Sequence, residues 1–206
     1  MKNLSFFKFP YWGIITGHML FILSGVFYSI YWILNYYNQN NKTHIFSSLL
    51  FILSLLVGIL GTILLVYTLA GISDQITGQF KIWHIILFSV VFFILSLFIT
   101  SKVFHRQFTS EIFFIMLWAG IEISCIYAFY CLNWFSVSQF IVSLSLAFIC
   151  LLVGMVCYII HYKIPEKERF INGLVPYLVI SLYMLVNTII LFVNKIPVKD
   201  NISTGS

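Results

Sequence analysis

Apolar residues in this chain come in long runs rather than in alternating or one-sided patterns, and each run is closed at both ends by polar or basic residues. Six runs, at 11–36, 45–70, 82–104, 112–134, 139–162 and 173–194, stand out. A helix crosses about 30 Å of hydrocarbon in roughly 20 residues at about 1.5 Å each, so every run is long enough to span a bilayer. The predicted fold class is all-α: a polytopic membrane helix bundle of six transmembrane helices in a single integral membrane domain, 1–206. The segments between runs are too short to fold a soluble core. The polar stretch 163–169 reads as a solvated loop, and 195–206 as a disordered tail.

Within the runs the polar and small positions are unevenly placed. Gly13, Gly17, Ser24 and Gly25 in the first run and Ser54, Gly58 and Gly61 in the second give each helix a small face, the kind that lets helices approach closely in lipid. The two halves of the chain also show a likeness. Phe27-Tyr-Ser-Ile-Tyr-Trp32 closes the first run and Phe129-Tyr-Cys-Leu-Asn-Trp134 the fourth, while Ser54-Leu-Leu-Val-Gly58 is answered by Cys150-Leu-Leu-Val-Gly154. The third and sixth runs match poorly. Duplicating three spans inverts the second copy, so two inverted three-helix repeats are one expectation, an architecture that places transporter sites near mid-membrane. Chance matching in a chain rich in Leu, Ile, Phe and Tyr is the other.

Composition agrees with the pattern. The 206 residues are 61% hydrophobic and 8% charged, and mean hydropathy is +1.03, values of the membrane class. The net charge of +5 comes from Lys and Arg scattered among loops and tails, without the clustered face that nucleic-acid binding needs. The expected surroundings are therefore membrane lipids. An even number of spans puts both termini on one side. Lys2 and Lys8 before the first run, against Lys42 after it, favour the cytoplasm for that side and a cell-membrane location; Lys102, Arg106, Lys163, Lys167 and Arg169 in later loops argue the reverse. The first run ends without a small-x-small cleavage site, so it is expected to remain as a spanning helix. Cys125, Cys131, Cys150 and Cys157 form no CxxC pair and read as packing residues, so neither a metal nor another cofactor is expected. Trp12, Trp32, Trp83 and Trp134 lie near run ends, where an aromatic belt explains them.

Candidate chemistry concentrates on one stretch, Trp118-Ala-Gly-Ile-Glu122-Ile-Ser-Cys125. A charged group at bilayer mid-depth costs at least about 2.5 kcal/mol, so such residues face a bundle interior and mark function by default. Glu111, Trp118, Glu122, Cys125, Phe129 and Asn133 share a helix face by their spacing. Counting roughly 1.5 Å per residue from the run ends places His18 and Asn187 about 10 Å from the side of the termini, with Glu122 slightly deeper. The ligand- or proton-binding candidates are accordingly Glu122, His18, Asn187 and Trp118, with Thr16, Ser181 and Tyr183 as further polar groups at that depth. Metal-site, nucleophile and phosphate-loop signatures of known intramembrane or metal enzymes are missing: there is no HExxH, no GxSxG and no Gly-rich phosphate loop. The pattern favours a small transporter, channel or substrate-binding membrane subunit, handling a small molecule or ion, over an enzyme. Two other readings stay open: an intramembrane enzyme acting on a lipid or prenyl-type substrate, and a non-catalytic assembly or immunity partner that docks on another membrane protein or on a second copy of itself.

Overall fold

The computed structural model describes residues 4–37, 44–73, 82–103, 105, 110–161 and 163–195. Among them the chain is a helical bundle of α1 (Leu4–Tyr37), α2 (His44–Ile72), α3 (Ile82–Lys102), α4 (Ser110–Cys131), α5 (Val137–Ile160) and α6 (Glu166–Lys195). Five of these helices are long and apolar enough to cross a membrane, and in α3 the described apolar part is Val90–Lys102. Leu56, Ile63, Ile94, Leu152 and Leu182 point outward, more than half exposed. Such a surface suits hydrocarbon rather than water, and the chain is accordingly a membrane-embedded, multi-pass bundle.

Helix ends depart from the apolar runs where local chemistry extends or stops them. The segment expected as a loop at 163–169 is largely helical, because Pro165 starts α6: its carbonyl accepts from the backbone N–H of Glu168 and of Arg169, both at 3.0 Å. Proline is well placed at a helix start, and Glu166 and Glu168 suit the positive end of the helix dipole. Pro176, expected near the start of the last helix, therefore falls inside it. α4 stops one turn early at Cys131, where Asn133 takes a left-handed conformation with φ 56 and the N–H groups of Trp134 and Phe135 turn back to the Phe129 carbonyl. Ser136 then opens α5 with a capping box shared with Gln139. Positions 196–206 of the expected tail, and most of the loops 38–43, 74–81 and 104–109, lie outside the described residues.

α1 packs along α2 on one side and α6 on the other, α6 along α5, α5 along α4, and α4 returns to α2, so these five helices close a ring with α3 outside against α4. The α1–α2 seam uses the small residues. A Cβ on Gly17 would lie 2.5 Å from Leu65 and one on Gly61 would lie 3.2 Å from the Gly17 carbonyl. Ser24 and Ser54 close the same seam by donating to each other's backbone carbonyls at 2.8 and 2.9 Å. Between the halves, α5 packs on α6 but α2 does not pack comparably on α3 among the described residues. The pairing thus diverges at the third helices, where the sequences also match poorly.

Candidate functional site

α4 is the most enclosed of the candidate spans: 61% of Phe114–Cys131 is buried in the bundle, against 17% for the span of α2. Its buried face carries Trp118, Glu122, Cys125 and Phe129 at spacings of three and four, so all four point towards the middle of the ring. The side chain of Glu111, placed on the same face by the sequence, lies outside the described set.

Glu122 is met there by His18 from α1, with Nε2 and Oε2 3.2 Å apart and both residues 0% exposed. α1 and α4 do not run along each other. The contact is made across the ring axis by side chains alone. The other carboxylate oxygen, Oε1, accepts from Asn187 Nδ2 at 3.1 Å, and Asn187 Oδ1 accepts in turn from the Ser143 hydroxyl at 2.9 Å. The Tyr183 hydroxyl donates to the Ser143 carbonyl at 3.3 Å. One polar chain, His18–Glu122–Asn187–Ser143, therefore ties α1, α4, α6 and α5 together at a single depth.

The chain is incompletely satisfied at one end. His18 Nε2 and Glu122 Oε2 are at ion-pair distance but not aligned for a hydrogen bond, and among the described residues His18 Nδ1 has no hydrogen-bond partner either. Buried polar groups are nearly always paired, so this pair is an exception to that rule at the centre of the bundle. Cys125, one turn beyond Glu122, completes a set: one donor atom from each of His18, Glu122 and Cys125 lies within 4.8 Å of the others, all buried. Comparison with protein-family models, curated proteins and solved structures finds no match. The chemistry of these side chains is therefore the basis for a functional reading.

Of the sequence candidates, Glu122, His18 and Asn187 meet directly. Trp118 is buried one turn away, packed edge-on against Tyr183 with centroids 5.7 Å apart, and its indole N–H has no hydrogen-bond partner. Tyr183 joins through Ser143. Thr16 faces outward, and Ser181 packs against Gly25 instead of the site. Ser143 and the donor role of Cys125 were not foreseen. Ser143 has a depth signal, since it lies about 9 Å into α5 from the same side, whereas Cys125 lacks the paired spacing by which metal-binding cysteines are recognised.

The opposite end of the bundle holds a cleft of about 80 Å³ bounded by Tyr28, Trp32, Tyr158, Tyr177, His161 and Asn172. Trp32 is half-buried there: its indole N–H donates to the Phe170 carbonyl at 2.9 Å, and Gly173 leaves room for its ring. Asn172 donates to the Cys157 carbonyl at 2.7 Å and lies 3.2 Å from His161 Nδ1. Trp134 is also drawn inward, against Tyr11 and Phe129, while Trp12 is 52% exposed as a belt residue would be. The side chain of Trp83 lies outside the described set.

Proposed function

We propose that this chain is a small membrane transporter or substrate-binding membrane subunit in which His18 and Glu122 hold an exchangeable proton or small cation on the axis of the bundle. One observation carries the reading: an imidazole and a carboxylate 3.2 Å apart, both fully buried, belong to helices that do not pack along each other. A pair serving only to glue helices would gain by being fully hydrogen-bonded, because orphaned groups in a low-dielectric interior are costly. Asn187, itself held by the Ser143 hydroxyl, donates to the carboxylate at Oε1 and leaves Oε2 for the exchanging species. Lys2 and Lys8, both ahead of the apolar run that begins at Tyr11, favour the cell membrane with both termini on the cytoplasmic side.

The test is proton flux into liposomes carrying the purified protein and a trapped pH dye, driven in separate runs by an imposed potassium diffusion potential and by an inward gradient of a small cation. Wild-type protein is expected to acidify or alkalinise the lumen faster than empty vesicles, and Glu122→Gln to lose most of that flux. The glutamine carbonyl can still accept from Asn187, so the variant should keep its fold in detergent. Flux equal in Glu122→Gln and wild type, or absent from both, would defeat the reading.

A further inference from the structure

We propose that His18, Glu122 and Cys125 form a three-ligand site for a divalent transition-metal ion of the zinc class, which enters in exchange for two protons. The inference rests on the preceding reading of the Glu122 centre as a place where ions are exchanged, and names the ion.

Geometry comes first. Glu122 and Cys125 stand at i and i+3 on α4, the spacing that projects two side chains inward together from a bundle helix, and His18 faces them from α1. Ligands held roughly 2.0 Å from a tetrahedral ion are about 3.3 Å from each other. The His18 Nε2 to Glu122 Oε2 separation is 3.2 Å. Sulfur, at about 2.3 Å from the ion, belongs some 3.6 Å from its neighbours, so a donor set lying within 4.8 Å needs the thiol to close by about 1 Å at most. Both atoms of the close pair lack a hydrogen-bond partner, which leaves their lone pairs unspent. Asn187 supplies the outer support that metal-ligating carboxylates need, because it holds Oε1 and thereby turns Oε2 inward. Phe129, edge-on to the His18 ring at 6.2 Å, adds an apolar wall.

Charge selects the class. One carboxylate and one thiolate balance a divalent ion, and neutral imidazole adds nothing, so the loaded centre is neutral in surroundings that penalise net charge. A monovalent ion would leave it negative. Calcium and magnesium prefer oxygen-only shells, whereas imidazole and thiolate favour zinc and its neighbours. The same penalty on net charge asks for a neutral empty centre, which takes one proton on the His18–Glu122 pair and one on the Cys125 thiol. When the ion binds Oε2, Nε2 and Sγ, the shared proton and the thiol proton leave, so one M²⁺ enters for two H⁺ and no electrons move. His18 Nδ1 retains its proton throughout.

Cobalt(II) is the probe, used on purified, tag-free, chelator-washed protein in detergent. Wild type is expected to bind one equivalent with the intense visible bands of four-coordinate cobalt and a near-ultraviolet thiolate charge-transfer band. It should release two protons per ion to a weakly buffered indicator, and zinc should displace the cobalt. Cys125→Ser, a small change at a helix face, should lose the charge-transfer band and release one proton. No saturable cobalt spectrum in wild type would overturn the proposal, as would a charge-transfer band or a two-proton release surviving in Cys125→Ser. Proton flux that depends on Glu122 without any cobalt binding would remove the metal and leave the proton reading standing; absence of both would remove the two together.

Discussion

The two halves of this bundle are held together by different means. Near the termini, four helices converge on a polar chain in which His18, Glu122 and Asn187 are 0% exposed. Near the α5–α6 turn, the same helices are separated by a cleft of about 80 Å³ walled by aromatic rings, with Tyr28 stacked on Tyr177 at 4.0 Å and Trp32 anchored to α6. Rings tolerate small shifts, since dispersion is non-directional. The polar chain tolerates them less, because its hydrogen bonds from Asn187 to Glu122 Oε1 and from Ser143 to Asn187 weaken steeply with distance and angle. The polar half therefore fixes the helices' relative depth, and the aromatic half leaves space between them.

That contrast is broken most directly by Glu122→Ala. Removing the carboxylate strands both His18 and the Asn187 amide in the interior, and breaking a buried pair in this way costs on the order of 3–5 kcal/mol. Trp32→Phe in the other half keeps a ring in place and loses the hydrogen bond to Phe170, a change on the order of 1 kcal/mol. Unfolding by denaturing detergent in mixed micelles should show the first variant far below the second. Equal losses would mean that the axis carries no special weight.

A middle-sized effect is expected from Gly173→Ala. The added Cβ would stand 2.5 Å from Trp32 Cζ2, so the indole must leave its place in the cleft. Overpacking of this kind costs about 1–3 kcal/mol. The accompanying sign is a change in tryptophan emission that disappears in a Trp32→Phe background. If emission and stability are both unchanged, the cleft wall is softer than its ring contacts indicate.

The meeting of His18, Glu122 and Asn187 was legible in the sequence because depth in a membrane helix is linear in residue number: His18 and Asn187 count to one depth and Glu122 to slightly below it, within reach of their side chains. Glycines and serines likewise announced the α1–α2 seam, where Gly17, Gly61, Ser24 and Ser54 do meet. Rotation about the helix axis was less legible. Thr16 shares a depth with the site yet faces outward, since two residues on an α-helix are about 200° apart and His18 had already claimed the inner face. The early start of α6 was hidden by charge: residues 166–169 look like a loop by hydropathy, but Glu, Lys and Arg are good helix formers and Pro165 begins a helix well. The approach of Cys125 to His18 joins positions more than a hundred residues apart, which no local spacing encodes.

The smallest expected effect is the most discriminating between the halves. Ser143→Ala removes only the hydroxyl that donates to Asn187 Oδ1, and interhelical hydrogen bonds in membrane proteins average about 0.6 kcal/mol with a maximum near 1.7. Its size matters less than its company. Residues of one hydrogen-bonded chain couple, whereas distant, unconnected sites add within about 0.5 kcal/mol. Combined with Asn187→Ala, which leaves Ser143 nothing to donate to, the serine substitution should cost almost nothing further. Combined with Trp32→Phe it should add in full. Additivity with Asn187→Ala would mean that the chain from His18 to Ser143 is a row of separate contacts. Coupling to Trp32 would mean that the two halves are one unit, with the cleft set by the same geometry that holds the carboxylate.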